Sequence, residues 1–280
     1  MKLTNKTLTW LVAGMVSVVL VAGVNAQTAK ERTGKVVRIK GAARYSTGNK
    51  IWQPLKVGTI LKSGAVVQTA ADSYADIVIN EDASADAVSM PRPSATPTAA
   101  SASSGGSGGN KSPEYDVIRV QNDSVVAIDK VSATDTGADR VTETELDLRT
   151  GSLFFSVKKQ AAASRFEIKY PNGVAGIRGT MGIIYADGRI VCGAGSVVSA
   201  STDSTGKTTT KVVPGGTQSG AGDGQPSPIG SSLLASLQVI SQETSYGSSG
   251  GSTPVFQRFE SLGREPANGG RLPISPTTPP

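Results

Sequence analysis

The central part of this sequence predicts an all-β fold of stacked short strands, solenoid-like or jelly-roll-like. Apolar and polar residues alternate at a period of two through most segments between residues 34 and 218. That period sends successive side chains to opposite faces of a strand. Several segments open directly after a glycine: Gly34-Lys-Val-Val, Gly64-Ala-Val-Val, Gly151-Ser-Leu-Phe and Gly195-Ser-Val-Val. Such strands turn sharply and stack, although their irregular spacing makes no strict repeat. A 3.6-residue apolar stripe occurs only over Ser231 to Ile240.

The elements follow in order. Lys2 and Lys6 precede an apolar run from Leu8 to Val24, which ends in Val24-Asn25-Ala26. A basic start, an apolar middle and a small-residue end describe a signal peptide over 1–26, cut after Ala26. No cysteine lies near that site, so lipid anchoring is not expected. The alternative is an N-terminal membrane anchor, for which the run is marginal, since a spanning helix needs about 20 apolar residues. With the leader removed, no integral membrane span is expected, and the protein is periplasmic or secreted. Alternating strands are predicted over Val36–Lys40, Ala75–Ile79, Val117–Val120, Ser124–Ile128, around Leu146 and Leu148, over Ser152–Val157 and over Arg165–Tyr170. Leu153, Phe155 and Val157 share one face, as do Phe166, Ile168 and Tyr170.

Two stretches interrupt this pattern. Residues 81–112 hold Pro91, Pro93, Pro97 and the run Gly105-Gly106-Ser107-Gly108-Gly109. They have little apolar surface to bury, so a disordered insertion is expected within a β domain over 34–218. Residues 219–280 are rich in Gly, Ser and Pro and are expected to form a C-terminal tail with a short apolar island at 231–240.

Composition narrows the function classes. The formal charge is +6 and drops to about +4 without Lys2 and Lys6, and cations are not clustered. Nucleic acid is therefore not an expected partner. There is no histidine, which removes histidine triads and histidine metal sites. Cys192 is the single cysteine and lies in the apolar run Ile190-Val191-Cys192, where a buried core thiol is expected. Gly206-Lys207-Thr208 keeps only the last letters of a phosphate-binding loop, in a polar turn. Glu143 and Glu145 share a strand face and are read as a solvated face, not an acid–base pair. No catalytic residue, cofactor or metal site is expected, and the chain is read as no enzyme.

The sharpest local feature is Tyr170-Pro171-Asn172-Gly173-Val174-Ala175-Gly176-Ile177-Arg178-Gly179-Thr180. A Pro-Asn-Gly turn follows a strand, and two glycines flank an arginine. Arg178 is expected to staple stacked strands by bonding backbone carbonyls, with anion recognition as the alternative. Val174-Ala175-Gly176-Ile177-Arg178-Gly179-Thr180 resembles the v-x-G-x-R-G-T hallmark of the FecR domain family. Upstream, Trp52, Leu55, Gly58, Leu61, Gly64 and Thr69 stand as in that family's W-x-x-L-x-x-G-x-x-L-x-x-G-x-x-x-x-T signature. Ser73 to Ile79, Leu146 to Val157 with Gly151, and Gly193 to Val198 are similar to further strands of the family. The resemblance runs from about Gly34 to Gln218.

The resemblance implies a β-rich extracytoplasmic domain. In iron-uptake regulators of the family that domain senses an outer-membrane transporter and signals to a sigma factor. Seven residues precede the apolar run here, so no cytoplasmic anti-sigma segment is expected ahead of it. The expected role is an interaction or structural module of the bacterial envelope with a protein partner of unknown identity. The alternative is a periplasmic sensor that relays a signal to a separate membrane or sigma-factor system. N-terminal sequencing of the exported protein is expected to start at Gln27; a retained Met1 in a membrane fraction would overturn the leader.

Overall fold

The computed structural model describes residues 29–48, 51–80, 115–137, 139–221 and 224–246. The leader at 1–26 and the insertion at 81–112 lie outside the described residues. In chain order the elements are β1 (Lys30–Glu31), β2 (Thr33–Lys40), β3 (Ala43–Ser46), β4 (Gln53–Pro54), β5 (Ile60–Leu61), β6 (Val66–Thr69), β7 (Tyr74–Asn80), β8 (Asp116–Val120), β9 (Val125–Asp135) and β10 (Arg140–Thr150). There follow β11 (Ser152–Ser156), β12 (Arg165–Tyr170), β13 (Gly173–Ile177), β14 (Met181–Tyr185), β15 (Ile190–Ala194), β16 (Ser196–Thr202), β17 (Thr208–Pro214), β18 (Thr217–Ser219), β19 (Ser227–Pro228) and helix α1 (Ser231–Glu243).

The strands form two open sheets. The first has the order β17-β16-β13-β12-β10-β9-β6-β3-β4, with β1 also on β9; the second has the order β19-β18-β15-β14-β11-β8-β7-β2-β5. From β7 onward the chain alternates between them, mostly a hairpin at a time. Pairing is antiparallel except between β10 and β12, which are parallel because β11 crosses to the other sheet between them. The fold is all-β, wound like a flattened solenoid.

One core fills the space between the sheets. Val67, Val126, Ile128, Leu146, Leu148, Phe166 and Ile168 meet Val36, Ile77, Ile118, Leu153, Phe155, Ile184 and Cys192. The crossings between sheets are tight. Residues with positive φ stand at them: Gly41, Gly64, Asp72, Asp123, Gly151, Gly179, Gly195 and Gly216. A Cβ on Gly151 would lie 2.1 Å from Ser124 Oγ and 2.7 Å from the Asp123 carbonyl oxygen. One on Gly195 would lie 2.6 Å from the Gly179 carbonyl oxygen. Both sites combine a left-handed backbone with a close approach, so glycine is required. Gly34 departs from this pattern. It lies inside β2, where a Cβ would press on Ile77 Cγ2 at 2.8 Å, so it serves packing and not a turn.

The apolar island is a correction to the expected tail. Residues 231–243 form α1, which lies on the outer face of the second sheet. Leu237 is fully buried among Phe154, Met181, Ile183 and Val191, with Leu233, Leu234 and Ile240 beside it. Tyr246, just past the helix, packs on Val37, Val78 and Val117. The second sheet is thus covered on both faces, so β8, β11, β14 and β15 are buried almost throughout, without alternation. The helix has no side-chain N-cap, no acid in its first turn and no base in its last. Thirteen residues so poorly capped are marginal alone, and burial against the sheet holds them helical. Leu237→Ala is expected to cost about 3 kcal/mol and to raise amide exchange across residues 231–243 in hydrogen–deuterium exchange. Wild-type exchange in that segment would refute the packing role.

Candidate functional site

The upstream motif builds one end of the sandwich. β4 and β5 are the last strands of the two sheets, and residues 53–61 cross from one to the other. Backbone bonds pin this crossing: Leu55 N–H donates to Ala43 (2.9 Å), Gly58 N–H to Val36 (2.7 Å) and Val36 N–H to Thr59 (3.0 Å). Gly58 takes the positive φ of this crossing, and Gly64 that of the next, from β5 to β6. Leu55 and Leu61 point into the core. Thr69 is buried; its hydroxyl donates to the Gln121 carbonyl and accepts from Ser124 N–H at 3.1 Å. Trp52 faces outward at 40% exposure, under the Arg44 guanidinium 4.6 Å from its ring centre. Ile51, Val57 and Ile60 are exposed beside it in sequence.

The second motif makes a crossing between sheets. β13 ends at Ile177, Gly179 turns the chain with φ 63°, and β14 starts at Met181. Thr180 is buried, and its hydroxyl donates to the Ser196 carbonyl at 2.9 Å. Gly176 pairs with Glu167 and Val198 within the sheet. Arg178 does not do what was expected. Its side chain is exposed, and its guanidinium has no partner among the described residues. The staple reading of Arg178 is therefore corrected, and the tie across this crossing is made by Thr180.

The arginines that do staple the fold lie elsewhere. Arg32 is 1% exposed and reaches Thr144 Oγ1, the Ile79 carbonyl and Asp116 Oδ2, each at 3.4 Å. Asp116 is buried and also accepts from Lys158 N–H (3.0 Å) and Gln160 Nε2 (3.3 Å). Burial pushes the Asp116 carboxyl above its ordinary value, against the pull of Arg32. On the outer face of the second sheet, Arg119 forks onto Asp76, its cross-strand partner, at 2.6 and 2.9 Å. Its third nitrogen donates to Glu243 Oε2 of α1 at 2.5 Å, and Tyr246 Oη donates to Asp76 Oδ2 at 2.6 Å. These charges were legible only as odd letters inside apolar strands, Asp76 in Ala-Asp-Ile-Val-Ile and Arg119 in Val-Ile-Arg-Val. The cover over their face comes from α1 and Tyr246, far along the chain.

The carboxylates on the open face of β10 are engaged. Glu143 pairs with Lys130 and Arg165, and Glu145 with Lys169 at 3.0 Å. The Lys169 hydrogen bond holds Glu145 below the usual carboxylate range, so it is no acid at neutral pH. A cleft of about 140 Å³ opens among the β12–β13, β14–β15 and β16–β17 turns, with Asp187, Asp203 and Lys207 on its wall. Asp203 Oδ1 accepts from the N–H groups of Thr205 (2.8 Å) and Lys207 (3.0 Å), which closes the Gly206-Lys207-Thr208 turn on a carboxylate. Burial pushes Asp187 up, but bonds from Arg189 outweigh it and leave the carboxyl lowered. Cys192 is fully buried, and burial pushes its thiol up to about 12. Among the described residues no three metal-ligating side chains gather.

Residues 111–212 match the profile of the family described as FecR protein. Over that stretch the chain is similar to FecR proteins. The matched stretch runs through β17 and holds Gly151, Gly176, Arg178, Gly179 and Thr180, while Trp52 to Thr69 lie ahead of it. A solved structure provisionally described as an anti-sigma factor from Parabacteroides distasonis is similar at 13% identity, over 42% of this chain and 52% of that one, with a TM-score of 0.29. The chain thus spans about half the length of that structure, and a score so low carries no argument. No curated protein matches the chain.

The two arginines, Arg178 and Arg32, separate in their expected effects. Arg178→Ala is expected to shift stability by less than about 0.5 kcal/mol, as an exposed change. Arg32→Met leaves a buried carboxylate unpaired and is expected to cost about 3 kcal/mol at neutral pH. Native Asp116 keeps its proton to higher pH than the unfolded chain does, so its stability is greatest below the ordinary carboxylate range. That stability is lost as pH rises through the raised native value. Without Arg32 the loss should steepen. Denaturation series from about pH 4 to pH 8 read both effects, and a flat Arg32→Met profile would contradict the assignment.

Proposed function

We propose that this protein is a non-enzymatic interaction module of the bacterial cell envelope, exported by its N-terminal leader and acting through the end of the sandwich built by β4 and β5. One observation carries the reading. Seven large apolar side chains are exposed among the described residues, and four of them, Ile51, Trp52, Val57 and Ile60, fall within ten positions of one crossing. The fold has a core that takes Leu55 and Leu61 from the same crossing, so the outward four are not left over from poor packing. Concentrated apolar exposure, with Trp beside Arg, is the composition of a protein interface.

The ionisable groups support a role without chemistry. Buried carboxylates neutralise buried arginines, and exposed ones close turns or pair across strands. A general acid needs a carboxyl pushed up at an open site; Asp116 is pushed up but buried, while Glu145, Asp187 and Asp203 are held below the usual range. The FecR domain also favours a second reading, a sensor that hands an envelope signal to a separate membrane or sigma-factor partner. Both readings need a docking surface, and only the second needs a change of partner state on binding.

The test is a pair of substitutions with opposite signatures. Ile51→Ser with Trp52→Ala is expected to leave the denaturation midpoint near wild type while abolishing recovery of the native partner from envelope extracts. Leu61→Ala is expected to unfold the same end, at a cost of about 3 kcal/mol. If the Ile51/Trp52 variant recovers its partner as wild type does, this end is not the docking surface.

A further inference from the structure

Charge at the same end says what kind of partner fits, an inference that rests on the interaction-module reading. No Asp or Glu occurs between Glu31 and Asp72, a stretch holding eight Lys or Arg. In the fold this empties β3, β4 and β6 at the edge of the first sheet, and β2 and β5 at the edge of the second, of carboxylates. Elsewhere on the first sheet, cations are matched: Lys130 with Glu143, Arg165 with Glu167, Lys169 with Glu145 and Asp129. Among the basic residues of the stretch, Arg32 and Arg38 also have carboxylates. Lys56 and Lys62 bracket Val57 and Ile60 and form no ion pair among the described residues. Arg44 stacks on Trp52, and its Nε donates at 2.9 Å to Gln68, a neutral amide.

We infer that this end takes an acidic segment of a protein partner, one that also carries large apolar side chains. Carboxylates from the partner would answer Arg44, Lys56 and Lys62, while its apolar groups would cover Ile51, Trp52, Val57 and Ile60. Unmatched cations around an apolar centre steer an acidic partner and exclude basic ones. An anionic lipid surface has the same charge, but the observations favour protein. The indole is clamped by Arg44, which is itself bonded to Gln68, so it is a fixed anchor and not a side chain free to insert. Rigid Trp and Arg anchors are typical of the centres of protein interfaces.

The experiment places a photo-crosslinking amino acid at Val57 in the full chain, expressed in its native cell, with Val212 on β17 as an exposed control position. The expected result is a cross-link from Val57, absent from Val212, to another protein, with the modified peptide net acidic by mass spectrometry. Arg44→Glu with Lys56→Glu and Lys62→Glu should lower its yield about tenfold, with folding checked by thermal denaturation. Replacing the partner's acids with Lys should restore it. A cross-link to a neutral or basic peptide, insensitive to charge reversal, overturns the acidic assignment and leaves the interaction module standing. Cross-linking to a second copy of this chain overturns the assignment as well. So does binding of purified protein to phosphatidylglycerol vesicles that the charge-reversed triple variant loses, with no protein cross-link. No protein cross-link and no vesicle binding would remove this end as a docking surface altogether.

Discussion

The structure depends on how its chain passes between two sheets. Each sheet contributes inward side chains to one core, and neither core face can close unless the chain crosses every few residues. A crossing of two or three residues cannot be made with extended or helical backbone alone. Positive φ at Gly151, Gly179 and Gly195 makes the turn, and the neighbouring crossings then pack backbone against backbone. At that distance the orphan carbonyls need donors, and small hydroxyls supply them. Thr69 reaches Gln121, Ser124 reaches Ser152, and Thr180 reaches Ser196. The winding is thus set by residues that have almost no apolar surface, while the apolar residues fill the space it defines.

The two sheets differ in what lies behind them, and charge follows that difference. The outer face of the first sheet is open to water and carries a cross-strand array of Lys, Arg, Asp and Glu, worth little per pair. The outer face of the second is roofed by α1, so polar groups there must be satisfied within the protein. Asp76, Arg119, Glu243 and Tyr246 satisfy one another at the end of the helix. Burial and the nearby Asp76 carboxylate raise the Tyr246 hydroxyl well above its ordinary value, which keeps it a donor. A buried network of this kind contributes less to net stability than to position, because it fits the helix in one place only.

The ends of a wound two-sheet stack are where such a protein can meet others. At the far end β17 is a polar strand of seven residues and β19 ends in Pro228. At the near end two-residue strands, one with Pro54, give little template for strand pairing. Recognition there falls to side chains, and those side chains are apolar and basic. The two sequence motifs thus serve two purposes. Leu55, Leu61, Thr69, Gly179 and Thr180 build crossings, whereas Trp52 and Arg178 face solvent from them.

Period-two alternation marked β10 and β12 in the sequence itself, because each half-buried strand must sort its side chains by face. Glycines before strands likewise marked the crossings at 64, 151 and 195, since each takes a left-handed backbone there and at 151 and 195 a Cβ would also clash. Cys192 could be read as core from its apolar run. What the tertiary structure alone decided is which faces become interior. Nothing near Phe154, Asp76 or Arg119 in sequence announces a helix that starts at Ser231, so their burial could not be read from alternation. The weak stripe of that helix looked like an island in a tail because its helicity comes from the sheet beneath it. Arg178 shows the converse. Two glycines made close approach possible on both sides of it, but the direction of its side chain depends on the crossing, and the crossing turns it outward.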